Sequence, residues 1–454
     1  MTEALKFPST PDEAGPSPAP RALSPLVAHV RVPVHRDGYA LVLNSGITAV
    51  IGLAYWMIAA RTYPARIVGI NAALISTMMF LAGISQLNFS NVLVRFVPDA
   101  GRSVRRLVGL AYAASLAVAG VVATGFVAGL GIWARGLESV TSASGFRVWF
   151  VVATMAWCVF VLQDSVLTGL GRAVWVPVEN AVFSTVKLAL LIGLATAAPV
   201  YGIFASWTGA LIASLIPVNF IIFSRLVPRA VGSAVRETVS VTRPELVRYI
   251  VADYIGAVSW LAATTLPPII VTQVAGAAAA AYFSLGWALA LPLYFIPASV
   301  GSSLIVHAVR EPDMLHDYAR KAFVQGCRVL VPSSAALILA GPFLLRLLGH
   351  EYAEESVTVL RLVALAGIPN VVNVLYISVA RVERRMSRVV VALTSQGAIT
   401  LGLAVPFLHL YGITGVGIAW LVGQVAVAVP IFLTQRSAFW SSRRRENAAL
   451  EGEV

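Results

Sequence analysis

Residues 176–197 read VPVENAVFSTVKLALLIGLATA, and this stretch decides the fold. A helix that crosses a bilayer needs about 20 mostly apolar residues. Inside lipid every backbone group must pair within the chain, so a run of this length can only be helical. The same stretch carries two ionisable residues, Glu179 near one end and Lys187 near the middle. The middle of such a helix is roughly 15 Å from either interface at about 1.5 Å per residue.

Working outward, eleven further runs of this kind are found. The full set spans 39–60, 70–94, 107–133, 147–169, 176–197, 200–224, 250–271, 277–306, 329–348, 357–380, 389–408 and 413–434. The composition agrees. Hydrophobic residues make up 58% of the 454 and charged residues 12%, about half the charge of a soluble domain. So few charges could not cover an aqueous core of this size, whereas lipid as the outer solvent removes the need.

The net charge of +12 reads as a topology signal. Basic residues cluster in short segments between apolar runs, as in loops held on the cytoplasmic face. A nucleic-acid binder would instead gather them on one soluble face. With the N-terminus inside, 26 of the 33 Lys and Arg residues fall in inside segments and six in outside segments, with Lys187 the remainder. This split supports both the orientation and the number twelve, and places both termini in the cytoplasm. The outside loops are short, the longest at 134–146, so no external catalytic domain is expected.

The two cysteines, Cys158 and Cys327, and six scattered histidines give no disulfide framework and no metal spacing. No phosphate loop or nucleophile motif appears. No cofactor is expected, nor an enzyme. Residues 1–36 are rich in Pro, Ala and Ser without the apolar core of a signal peptide. They read as a disordered cytoplasmic tail, and the run from Tyr39 as an uncleaved insertion signal.

A weak repeat divides the chain. Val161-Leu162-Gln163-Asp164-Ser165-Val166 resembles Val374-Leu375-Tyr376-Ile377-Ser378-Val379 at an offset of 213, which also sets Arg172 on Arg385. Tyr201-Gly202-Ile203 matches Tyr411-Gly412-Ile413 at 210. Six helices per half make the halves parallel and place a cavity between them. The expected fold is therefore all-α integral membrane, with about twelve transmembrane helices in two six-helix bundles related by a pseudo-two-fold axis along the membrane normal. The bundles span 37–224 and 250–434, joined by a cytoplasmic linker at 225–249 and followed by a cytoplasmic tail at 435–454.

Polar residues inside the runs nominate a site. A buried ammonium at mid-membrane costs several kcal/mol unless hydrated or paired, so Lys187 is expected to face the cavity. Asn180, Ser184 and Lys187 share one helix face. Together they suit either the phosphate or pyrophosphate of a headgroup or an internal salt bridge. The acids Asp164, Glu179 and Asp253 all lie in the cytoplasmic halves of their runs. Each is a candidate for proton or sodium coupling, or a helix-end group hydrated from the cytoplasm. Glu179 is assigned the second role, with Arg172 as an available partner. Gln86, Asn88 and Asn91 make the second run polar, so part of it must face protein or water. Arg95 reads either as cavity-lining or as an anchor at the cytoplasmic face. Pro267, Pro268, Pro292 and Pro297 predict bends in runs seven and eight. Glu351, Glu354 and Glu355 form an external acidic group read as a solvated turn.

Several stretches carry a family resemblance. They are Leu93-Val94-Arg95-Phe96-Val97-Pro98, Gly169-Leu170-Gly171-Arg172 with Trp175-Val176-Pro177-Val178-Glu179-Asn180, Tyr352 through Leu360 into Arg361-Leu362, and Leu375-Tyr376 with Ala380-Arg381-Val382-Glu383-Arg384-Arg385. Over roughly 37–435 the chain resembles Wzx-type oligosaccharide and polysaccharide flippases of the multidrug/oligosaccharidyl-lipid/polysaccharide exporter superfamily, in an actinomycete-like form. The resemblance implies a bacterial cytoplasmic-membrane protein that moves a polyprenyl-diphosphate-linked saccharide from the inner to the outer leaflet by alternating access, with Lys187 on the headgroup. It implies the bilayer, a polysaccharide polymerase and glycosyltransferases as partners, and no nucleic acid. Some relatives have a strongly cationic cavity, whereas here only Lys187 is central. An ion-coupled multidrug or metabolite antiporter of the same superfamily is the alternative. A membrane glycosyltransferase or ligase would need an external catalytic motif that the sequence does not show.

Overall fold

A computed structural model describes residues 51–133, 144–232 and 243–435. Most of the apolar runs have become helices. The helix α1 covers 51–62, and the rest of its run lies outside the described residues. After it come α2 (Ala65–Ser85), α3 (Phe89–Phe96), α4 (Val104–Ala128), α5 (Ser144–Gly169), α6 (Trp175–Leu194) and α7 (Gly202–Ile221), which continues as helix to Gly232. The second half comprises α8 (Arg243–Thr265), α9 (Pro267–Val274), α10 (Ala277–Ala290), α11 (Phe295–Arg310), α12 (Leu315–Leu348), α13 (His350–Val382), α14 (Met386–Tyr411) and α15 (Ile413–Thr434). Among the described residues ten helical stretches are long and apolar enough to cross a membrane, and the bent pair α8 and α9 makes an eleventh. With α1 these account for all twelve runs, and the chain is a multi-pass membrane protein.

The expected prolines bend run seven, whereas run eight continues as one helical stretch, Ala277–Arg310, with Pro297 inside it. Helices α8 and α9 meet at 43° where Pro267 and Pro268 begin the second piece. Pro292 sits in a tight turn, Leu291–Tyr294, between α10 and α11. Three further expectations need correction. The run 70–94 is not one helix, because Leu87 and Asn88 adopt left-handed backbone at φ 49° and 63° and separate α2 from α3. The linker is shorter than 225–249, since α7 runs on to Gly232 and α8 begins at Arg243. Glu351, Glu354 and Glu355 form the first turns of α13 and not a turn, a position where carboxylates meet the positive end of the helix dipole. The terminal tails and the loop 134–143 lie outside the described residues, apart from Gln435.

Helices α4 to α7 pack mainly on one another and on α2, while α8 and α10 to α15 pack together as the second bundle. Helix α2 is shared, since it also lies along α8, α9 and α10. Lipid gives no hydrophobic drive to helix association, so close backbone approach supplies much of it. Gly69 provides that approach: a Cβ there would overlap the Ala277 carbonyl and crowd Ala281.

The repeat extends into the backbone. Helices α5 and α13 end in the same hydrogen-bonded cap, Arg172 N–H to Leu167 O and Arg385 N–H to Ala380 O, both 2.8 Å. The left-handed residue that closes each cap is Gly171 in the first and Arg384 in the second. All three pairs of positions are 213 apart.

Candidate functional site

Lys187 lies deep in α6 with 6% of its surface exposed. Its Nζ stands 3.8 Å from the ring centre of Trp207, 4.6 Å from Tyr55 and 5.2 Å from Phe183. Those rings come from α7, α1 and α6 itself, so Lys187 is enclosed within the first bundle. This corrects the expectation that it faces a path between the halves. Desolvated ring faces attract a cation by about 2 kcal/mol, which offsets much of the burial cost. The sequence offered no signal for the cage, because aromatic residues are common in every run. Among the described residues no carboxylate forms an ion pair with Lys187. Ser184 is buried on the same helix, and the half-buried Asn180 donates to the Val176 carbonyl at 3.0 Å.

Two turns toward the N-terminus of α6 lies a second polar group. Glu179 is 5% exposed, so it is neither the hydrated helix-end group expected nor a partner of Arg172, which is exposed. Its Oε1 accepts from Gln163 Nε2 of α5 and, at 3.3 Å, from Ser214 Oγ of α7. Gln163 Oε1 in turn accepts from Asn219 Nδ2 at 2.5 Å. Asp164 lies within electrostatic reach of Glu179 across the α5–α6 hairpin.

The third polar group spans the seam between bundles. Asp253 of α8 is 4% exposed. Its Oδ2 accepts from Asn91 Nδ2 at 2.8 Å and from Asn88 Nδ2 at 3.4 Å, both flanking the break in the second run. Its Oδ1 pairs with Arg381 of α13 at 3.0 Å. Nearby, Tyr254 Oη donates to the Ile84 carbonyl at 2.6 Å. Asp253 therefore ties α3, α8 and α13 together. Sequence reasoning had Arg381 in a family-resemblance stretch and among the inside charges, and gave it no site role. Gln86 serves locally as acceptor for Ser90 at 2.9 Å. Arg95 lies exposed beside Phe96 and joins none of the three groups.

No family model matches the chain, and no curated protein matches it. Solved structures do. The fold is similar to that of an inward-facing multidrug resistance MATE family transporter of the MOP superfamily, at 13% identity and TM-score 0.62, covering 86% of this chain and 94% of that one. It is similar to the lipid II flippase MurJ in an inward closed conformation, at 11% identity and TM-score 0.64, covering 87% of each chain. It is also similar to a MOP superfamily transporter from Pyrococcus furiosus whose binding pocket is described as reversed in polarity, at 14% identity and TM-score 0.57, covering 89% and 96%. These likenesses establish the architecture: the chain has the fold of the MOP superfamily transporters.

Proposed function

We propose that the protein is a transporter that passes a polyprenyl-diphosphate-linked oligosaccharide from the inner to the outer leaflet by alternating access, for assembly of cell-surface polysaccharide. The observation that carries this reading is Lys187, a deep cation held only against ring faces. A cation kept in a span without a carboxylate partner suits an anionic group acquired during the cycle, once the first bundle opens to expose it. A sugar headgroup cannot cross hydrocarbon unaided, since each unpaired polar group costs kcal/mol. A cavity opening to either side in turn avoids that cost while the lipid tail stays in the bilayer. The Asp253 seam supports such a cycle, because a few polar contacts join the two bundles there.

A second reading, an ion-coupled antiporter for drugs or metabolites, is favoured by the Asp164 and Glu179 pair. Proteoliposomes carrying a fluorescent polyprenyl-diphosphate oligosaccharide separate the two. Wild-type protein moves the labelled lipid between leaflets, and Lys187→Ala slows it about tenfold or more, near 1.4 kcal/mol of barrier. Unchanged flipping by Lys187→Ala at equal protein content would contradict the headgroup role. Gradient-driven exchange of a cationic drug, with no lipid movement, would favour the antiporter.

A further inference from the structure

The flank of the second bundle carries a groove. Helices α14 and α15 form its walls, and Tyr376 of α13 contributes to its floor. Its volume is about 460 Å³, within the range of about 300–1,000 Å³ that small-molecule sites occupy. Along α14 it is lined by Arg388, Val391, Ser395 and Ile399, spaced as one helix face. Pro430 and Ile431 of α15 lie opposite. Val391 is 62% exposed, so the groove opens sideways, toward the lipid. From Arg388 to Ile399 is 11 residues, about 16 Å of helix at about 1.5 Å per residue. That is half of the roughly 30 Å hydrocarbon core of a bilayer, the depth of one leaflet.

The two ends of the groove differ in charge. Tyr376 and Arg388 also border a smaller pocket of about 40 Å³, shared with His316, Glu383 and Gln435. At this end Glu383 meets two guanidinium groups, Arg385 at 3.4 Å and Arg388 at 3.8 Å. Arg384 is exposed beside them and has no ion pair among the described residues. The turn therefore keeps a net positive charge. Helix α14 adds to it, since no acidic residue in its first turn offsets the positive end of the helix dipole. The rest of the groove holds no charged residue. Two of its hydroxyls are also uncommitted. Ser378, Thr394 and Thr434 of the same three helices donate back to carbonyls of their own helix at 2.9, 2.6 and 2.7 Å. Ser395 and Tyr376 make no hydrogen bond among the described residues.

An apolar trough one leaflet deep, with a cationic mouth, has the polarity of a phospholipid. A soluble phosphate would use the arginines and leave the trough unfilled. A second copy of this chain, related by a two-fold axis along the membrane normal, would bring its own arginine turn to the same depth, like charge toward like. We propose that the groove between α14 and α15 binds one glycerophospholipid of net negative charge, with its phosphate on Arg388 and an acyl chain laid along α14 as far as Ile399. The lipid bridges α13, α14 and α15 where these helices share the groove. Its site shares no residue with the Lys187 cage or the Asp253 seam, and it is independent of what the protein transports.

Native mass spectrometry of full-length protein in detergent tests this. Dioleoyl phosphatidylglycerol and dioleoyl phosphatidylcholine are titrated separately into wild type, Arg388→Gln, Val391→Trp and the control Val405→Trp, which lies on α14 beyond the groove. Each protein is first checked as monodisperse by size-exclusion chromatography. The expected result is saturable binding of one phosphatidylglycerol to wild type and control, about tenfold or more tighter than phosphatidylcholine. Arg388→Gln abolishes that preference, and Val391→Trp weakens phosphatidylglycerol by about tenfold or more. Equal binding of the two lipids to wild type, or undiminished phosphatidylglycerol binding in either folded groove variant, overturns the proposal. Displacement of the lipid by soluble glycerol phosphate also overturns it, because the ligand is then a free anion at the mouth. So does a dimer that Val391→Trp breaks, because the occupant is then a second copy. No transport is measured, so failure here is distinct from failure of the flippase reading.

Discussion

The interiors of the two bundles share a frame and differ in chemistry. Helices α5 and α13 end in the same cap, 213 residues apart. Within that frame the first bundle holds a lysine and two acids in its spans. The corresponding centre of the second is neutral. There Gln424 Oε1 accepts from Asn373 at 2.9 Å and Asn370 at 3.2 Å. Trp420 donates to Tyr294 at 2.6 Å within a cluster that includes Trp260 and Trp287. The difference teaches where to look for function. Neutral amide networks hold membrane helices together at modest cost, whereas intramembrane charges are expensive and are kept for what they do.

The largest expected effect lies between the bundles. Gly69→Leu drives a side chain into the Ala277 backbone and should cost more than about 4 kcal/mol, the severe end of single substitutions. Loss of monodisperse protein on size-exclusion chromatography reads it. Within the bundles the comparison predicts opposite signs. Gln424→Leu strips the acceptor from Asn370 and Asn373 and should destabilise by about 1–3 kcal/mol. Lys187→Met removes a charge whose burial costs about 2.5–3.5 kcal/mol against a ring attraction of about 2 kcal/mol. It should leave stability unchanged or raise it by about 1 kcal/mol while transport falls. Thermal unfolding in detergent measures both. If the lysine variant proves the less stable of the two, the division between functional charge and structural amide fails.

The smallest effect concerns the shared cap. Gly171 and Arg384 both hold positive φ, a conformation that costs a side chain about 1–2 kcal/mol. Gly171→Ala should lower stability by about 1 kcal/mol, and Arg384→Gly should raise it by roughly 0.5 kcal/mol, part of the relief being lost to the flexibility of unfolded glycine. Equal responses of the two sites to alanine would blur the repeat.

Hydropathy made the eleven spans of the described residues legible, because length and apolarity are one-dimensional signals. Lys187, Glu179, Asp164 and Asp253 stood out for the same reason, as charges inside such runs. Which way they face was not legible. Lys187 turned into the first bundle, and Asp253 turned to the seam, because facing depends on helix rotation and an all-apolar run does not record it. The break at Leu87 and Asn88 left no trace, since neither residue is glycine or proline. Helix α12 begins 14 residues before its apolar run, because a helix continues through polar surface where hydropathy stops. Gln163, Ser214 and Asn219 were passed over as single uncharged residues on separate helices. Only their juxtaposition makes them a group.

The central proposal is that transport requires the bundles to part at the Asp253 seam. The direct test places Asn91→Cys and Asp253→Cys in a background where Cys158 and Cys327 are alanine, reconstitutes the protein, and bridges the pair with a short cleavable thiol reagent. The account predicts that the unbridged protein moves the labelled lipid, that bridging stops it, and that cleaving the bridge restores it. Transport at the same rate with the seam bridged would contradict the account.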